Sequence, residues 1–141
     1  PIAQYQWKEM ADLCRNTPLP IALDEELIGV GTLDEKRTLL DTIKPQYIVV
    51  KPTLHGGMSG AIEWVSEAQK RGIGSWMTSA LESNIGLRNV ALLAARVYNI
   101  TPETAHKTMP QGLGTGMLYT DNIEMDMELR HEKMWRCEVA D

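Results

Sequence analysis

The sequence predicts an α/β fold, about half of a (β/α)8 TIM-type barrel followed by a β-hairpin, and three observations carry that prediction. Short apolar runs alternate with amphipathic helical stretches, the grammar of strand-helix units on a parallel sheet. The strand ends are evenly spaced: 27 residues separate Asp24 from Lys51, and 28 separate Lys51 from Ser79. The chain has 141 residues, whereas a complete barrel takes ~250.

Each element follows in order. Gln4 to Asn16 places Trp7, Met10, Ala11 and Cys14 at i, i+3, i+4 and i+7, one face of a helix. Thr17, Pro18 and Pro20 end it. Ile21-Ala22-Leu23 is a short buried strand that emerges at Asp24-Glu25-Glu26. Leu33 to Ile43 reads as a helix on Leu39, Leu40 and Ile43, with Asp34 and Glu35 where the helix dipole favours anions and Lys44-Pro45 as the stop. Tyr47-Ile48-Val49-Val50 is continuous and β-branched, a strand buried on both faces that runs into Lys51-Pro52.

After the loop Thr53 to Gly57, Met58 to Lys70 gathers Ala61, Trp64, Val65 and Ala68 on one helical face, closed by Arg71-Gly72. Ile73 to Met77 is the third strand and delivers Thr78 and Ser79 at its end. Ser83 to Asn99 is a long helix whose Ile85, Leu92, Ala95 and Val97 require burial. Residues 100 to 121 give a cap and first turn at Thr101-Pro102-Glu103, then a glycine-rich loop from Gln111 to Gly116 with a short strand near it. Met125, Met127 and Leu129 alternate with Asp126, Glu128 and Arg130 as a half-buried strand, and Met134 to Val139 returns through a turn at His131-Glu132-Lys133. Residues 1–122 are expected to form the half-barrel and 123–141 the hairpin.

Composition narrows the function. The chain is 43% hydrophobic and 23% charged, ordinary for a folded domain and unlike a disordered or collagenous one. No run approaches the ~20 apolar residues of a membrane span. The opening segment lacks the basic-then-apolar pattern of a secretory signal. With 14 Lys and Arg against 19 Asp and Glu, and no dense basic cluster, nucleic acid is not an expected partner. Cys14 and Cys137 lie far apart without a C-x-x-C, so neither a disulfide framework nor a zinc cluster is indicated, and a cytoplasmic location is expected.

In parallel α/β proteins chemistry collects at the carboxyl ends of strands. Here those ends carry Asp24 with Glu25 behind it, Lys51, and the hydroxyls of Thr78 and Ser79. Asp24 is a hard oxygen donor suited to Mg²⁺ or Mn²⁺, but one carboxylate does not make a metal site. Lys51 either exchanges protons near neutral pH or stays charged and stabilises an anion. Other signals are discounted. His55-Gly56-Gly57 resembles the oxyanion loop of some lipases, yet the chain has no G-x-S-x-G elbow, so it reads as a tight loop. Gly112, Gly114 and Gly116 do not open a clear helix after a clear strand, as a nucleotide fingerprint would. Met125, Met127 and Met134 are expected to fill core, and His106 and His131 to be exposed.

Three segments in order carry a resemblance: Pro20 to Glu26, Ile48 to Pro52 with the Gly-Gly loop after it, and Ser79 to Leu87. They resemble the fifth, sixth and seventh strand ends of the enolase superfamily, in its muconate-lactonising subgroup, and the likeness covers about residues 1 to 122. The Ser79 to Leu87 segment is most similar to that of a dehydratase of the subgroup. The resemblance implies a lyase: Mg²⁺-assisted dehydration of 2-succinyl-6-hydroxy-2,4-cyclohexadiene-1-carboxylate to 2-succinylbenzoate, in menaquinone synthesis. It implies Asp24 as a metal carboxylate with Glu25 supporting it, Lys51 as the catalytic lysine facing the substrate ring, and Thr78, Ser79 and Gly112 as substrate-binding positions.

The family's K-x-K base motif and its two earlier metal carboxylates have no counterpart in the chain, and Gly114 stands where some relatives have Asp. The chain is therefore expected to be the C-terminal half of the barrel. An N-terminal half or another copy would complete it, and the hairpin would pack on a capping domain. Two rivals are an N-acylamino acid racemase or dipeptide epimerase using the same Asp24 and Lys51, and a non-catalytic half-barrel that serves in binding or oligomerisation.

Overall fold

Apolar side chains at helical spacing build the first helix, α1 (Trp7–Asn16), which buries Met10, Ala11 and Cys14. The computed structural model describes residues 2–137. They form two compact units, Pro1–Trp76 and Met77–Asp141, each treated by itself below.

In the first unit, β1 (Ala22–Leu23) and β2 (Tyr47–Val50) pair in parallel, with Ala22 opposite Tyr47 and Leu23 opposite Ile48. The sheet continues to β3 (Gly74–Met77) in the order β1-β2-β3. Parallel neighbours need a crossover, and α2 (Leu33–Ile43) and α3 (Gly57–Lys70) supply the two crossovers. Thr32 starts α2 through a capping box: its hydroxyl accepts from the Glu35 N–H at 3.3 Å, and the Glu35 carboxylate accepts from the Thr32 N–H at 2.9 Å. Such a cap contributes about 1 kcal/mol. At the other end Lys44 takes the left-handed conformation, and its N–H closes on the Leu40 carbonyl just before Pro45.

Leu23, Ile48 and Val50 meet Leu39, Leu40, Ile43, Trp64 and Val65 in a core from which solvent is almost wholly excluded. Each such side chain contributes about 1.5–3 kcal/mol of burial. The most enclosed charge is a lysine. Lys36 on α2 is 1% exposed; its Nζ lies 2.6 Å from Glu63 Oε2 and 5.6 Å from the centre of the Trp64 ring, a paired and cation-π position that offsets desolvation. Beside it Glu67 receives Arg37, Lys70 and Arg71, and Arg71 also holds Asp41, which ties α3 to α2.

In the second unit α4 (Asn84–Val97) buries Leu87, Val90, Ala91, Leu93 and Ala94. Ile85 and Leu92, expected inside, are 46% and 38% exposed, because the buried stripe runs one step round the helix from them. Thr101 to Lys107 folds as turns and a short 3-10 helix (Ala105–Lys107), so the expected cap does not lead into a longer helix. The short strand near the glycine-rich loop is present as a single parallel bridge between Thr78 and Gly112, and Gly114–Leu118 coils into 3-10 helix.

The hairpin pairs β4 (Met127–Arg130) with β5 (Lys133–Arg136) in antiparallel register. Its turn is the two residues His131 and Glu132, both at positive φ, the geometry that matches strand twist in two-residue hairpins. Lys133 therefore belongs to the returning strand, and the expected end of that strand at Val139 lies outside the described residues. Leu129 is exposed, and Met125, Met127 and Met134 are only half-buried, so the hairpin methionines do not fill a core. His106 and His131 are exposed, as expected.

Candidate active site

Asp24 and Lys51 follow the last residues of paired parallel strands, so the sheet itself brings them together. Asp24 leaves β1 and opens a 3-10 turn, Glu25–Leu27, by accepting the Leu27 N–H on its backbone carbonyl at 3.1 Å. Lys51 leaves β2 directly after three buried residues and lies ahead of buried Pro52. Its side chain is 16% exposed, and Nζ donates to Asp24 Oδ2 at 2.8 Å, with Oδ1 in ion contact at 2.7 Å. Glu25 stands farther out: its carboxylate is 4.0 Å from Nζ and the side chain is well exposed.

Behind this pair is a group that the sequence did not single out as functional. His55 is 2% exposed, and its Nδ1 accepts the backbone N–H of Lys51 at 3.0 Å. The Leu54 and His55 N–H groups both return to the Lys51 carbonyl, at 2.9 and 3.0 Å, so the loop is a closed turn. Burial above all pushes the imidazole down to about 4. Gly60 makes room for the turn, since a Cβ there would stand 2.2 Å from the His55 carbonyl oxygen. The sequence signal for all this was only the glycine pair after His55, which marks a tight turn without showing that the imidazole folds inward.

Thr78, Ser79 and Gly112 are brought together in the second unit. Ser79 is buried; its N–H donates to the Gly112 carbonyl at 3.0 Å, and the Gly112 N–H donates to the Met77 carbonyl at 2.8 Å. Thr78 Oγ1 donates to the same Gly112 carbonyl at 2.8 Å. Gly112 is needed for this approach, because a Cβ there would meet Thr78 Oγ1 at 2.3 Å. The Ser79 hydroxyl donates to Glu82 and accepts the Leu81 N–H at 3.0 Å, while the Ala80 N–H reaches the same Glu82 carboxylate at 2.8 Å. Glu82 is a second residue that sequence reasoning passed over.

For a metal ion, Asp24 offers the right kind of donor, a hard carboxylate. Among the described residues no three His, Cys, Asp or Glu side chains gather where they would hold one. The residues here therefore do not complete a metal site by themselves.

No family profile matches the sequence. Among curated proteins, it is 54% identical over 127 residues to o-succinylbenzoate synthase of Desulfotalea psychrophila (strain LSv54 / DSM 12343), covering 90% of this chain and 32% of that protein. It is 37% identical to o-succinylbenzoate synthase of Edwardsiella ictaluri (strain 93-146), over 78% of this chain and 30% of that one. Of solved structures, MenC from Desulfotalea psychrophila LSv54 superposes with a TM-score of 0.84 at 50% identity, over 96% of this chain and 35% of that chain. Muconate lactonizing enzyme from Pseudomonas putida superposes at 0.74 with 21% identity, over 96% of this chain and 35% of that one, a likeness of fold alone. The chain spans about a third of the length of the curated relatives it matches. By sequence and by fold the chain is similar to a part of the o-succinylbenzoate synthases.

Proposed function

We propose that this chain supplies the Asp24 and Lys51 side of an o-succinylbenzoate synthase site, in which 2-succinyl-6-hydroxy-2,4-cyclohexadiene-1-carboxylate is dehydrated to 2-succinylbenzoate for cytoplasmic menaquinone synthesis. The observation that carries the reading is the contact of Asp24 with Lys51 at successive strand ends, in a chain so similar to a synthase. A proton next to a carboxylate is weakly acidic, and it leaves only if the charge that develops is met by positive groups already in place. Lys51 is suited to that task. Its ammonium has three N–H donors, and among the described residues it makes one side-chain hydrogen bond, to Asp24. In this reading its remaining donor capacity would serve an anionic oxygen or the face of the substrate ring.

Enolase-superfamily members generally use a divalent metal. In this reading Asp24 is the ligand that these residues contribute to a Mg²⁺ or Mn²⁺ ion, with Glu25 beside it, and the remaining ligands and the base lie in protein beyond them. A bound dication would supply charge neutralisation at the substrate carboxylate. Thr78, Ser79 and Gly112 are assigned to a substrate carboxylate, which would take the Ser79 hydrogen in exchange with Glu82. The hairpin over 123–141 is assigned to packing on a capping domain.

The test is an assay of the full-length protein with the cyclohexadiene substrate and Mg²⁺. Loss of the diene absorbance is expected. Racemisation of N-acyl amino acids with no loss of absorbance would replace this reading with the racemase.

A further inference from the structure

His55 is a buried group whose chemistry the proposed reaction leaves unused. Three observations bear on it. Its Nδ1 accepts a backbone N–H, so the ring proton must sit on Nε2, because an imidazolium would turn N–H against N–H. The ring is almost wholly enclosed, and Nε2 has no hydrogen-bond partner among the described residues, so the ring is held by packing and by this one bond. The amide it holds belongs to Lys51 itself, at the point where β2 ends and the chain turns.

We infer that His55 is a positioning residue for Lys51: as a neutral acceptor it fixes the Lys51 N–H, and through it the direction in which the lysine leaves the strand toward Asp24. A strand end is the place where backbone direction is least constrained, since β2 ends at Val50 and Lys51 lies beyond it. The turn bonds to the Lys51 carbonyl hold one side of that residue, and the imidazole holds the other. Clamped on both sides, Lys51 can reach Asp24 without searching rotamers of its own backbone. Burial keeps the ring neutral, and so an acceptor, over the physiological range.

This inference rests on the reading of Lys51 as the working lysine, so its test has one arm that needs no substrate. In the full-length protein, His55→Leu removes the acceptor, whereas His55→Asn keeps an oxygen that can accept the same N–H. Lysine acylation followed by mass spectrometry reports the freedom of each ammonium, and fully buried Lys36 reports general loosening. In His55→Leu the labelling of Lys51 is expected to rise several-fold while Lys36 stays protected, with His55→Asn near the wild-type rate. Unchanged Lys51 labelling in His55→Leu, a parallel rise at Lys36, or His55→Asn behaving like His55→Leu would each overturn the inference. In the dehydration assay His55→Leu is expected to lower kcat by about 10²-fold, the scale of a small misplacement, with little change in KM and recovery in His55→Asn. A wild-type protein without dehydratase activity would refute the proposed function alone, since the labelling arm would still decide the role of His55.

Discussion

The strand ends after β1 and β2 present charge, whereas the strand end after β3 presents dipoles. Lys51 donates to Asp24 Oδ2 and lies in ion contact with Oδ1, a buried oxygen with no hydrogen-bond partner among the described residues. At Thr78 and Ser79 each hydroxyl has one hydrogen, and each gives it within the protein, to Gly112 and to Glu82. In the proposed reaction the first region would meet charge as it develops, and the second would hold the substrate. The second must exchange one acceptor for another, a trade whose net worth is a small difference. Loss of the first should be felt in rate, and loss of the second in binding.

The largest expected effect tests that division directly. In the full-length protein Lys51→Ala should lower kcat by about 10²–10³-fold, the usual scale for removing a group that meets developing charge. Ser79→Ala should raise KM by about tenfold, the scale of one hydrogen bond to a charged group, and leave kcat nearly unchanged. Steady-state kinetics on the diene separate the two. A fall in kcat in both variants, or a change of KM alone in Lys51→Ala, would erase the distinction between the regions.

The same two regions differ in how far the sequence exposes them. Apolar runs broken by Asp24 and by Lys51 mark the strand ends, since an abrupt change from β-branched residues to charge is what a buried strand leaves where it surfaces. The helices α1 to α3 follow from their apolar spacing, and the buried faces agree with it. What fails is any feature fixed by the partners a polar side chain finds, or by which apolar face is packed, and not by apolar spacing alone. Lys36 looks like a surface residue until Glu63 and Trp64, on the next helix, are known. His55 looks like part of an exposed loop until the turn closes on Lys51. On α4 both apolar faces read alike, and only packing chooses between Leu93 and Leu92. Glu82 sits beside Ser79 in sequence, but its role depends on a turn in which Leu81 takes positive φ, which a leucine does not announce.

A subtler way to sharpen the comparison is to disturb the second region without touching a hydroxyl. Gly112→Ala forces a methyl group against Thr78 Oγ1 and Cβ, at 2.3 and 2.7 Å, and the Thr78 side chain has no flexible end to give way. The bridge must open, at a cost of about 1–3 kcal/mol in stability. Thermal unfolding should show a lowered Tm, and KM should rise with it because Ser79 donates to the same Gly112 carbonyl. A Tm equal to wild type would mean that Thr78 and Gly112 are not in contact in solution.

The smallest effect is a pH dependence to which two groups of the first unit contribute, one kept neutral and one kept charged. Burial holds His55 down from the ordinary 6.5 to about 4. Between those values the unfolded chain binds a proton that the folded chain refuses, so stability is lost as pH falls from 6.5 toward 4. Glu67, hydrogen-bonded by Lys70, Arg71 and Arg37, is held down from 4.5 to about 2. Its contribution is complete above 4.5 and is lost as pH falls from there toward 2. The windows barely overlap, so thermal melts across acid pH resolve them in pairs of proteins. His55→Asn should flatten the upper decline relative to wild type and leave the lower one, and Glu67→Gln should do the reverse. If Glu67→Gln removed the upper decline, the imidazole would not be the buried neutral base that the turn at Lys51 requires.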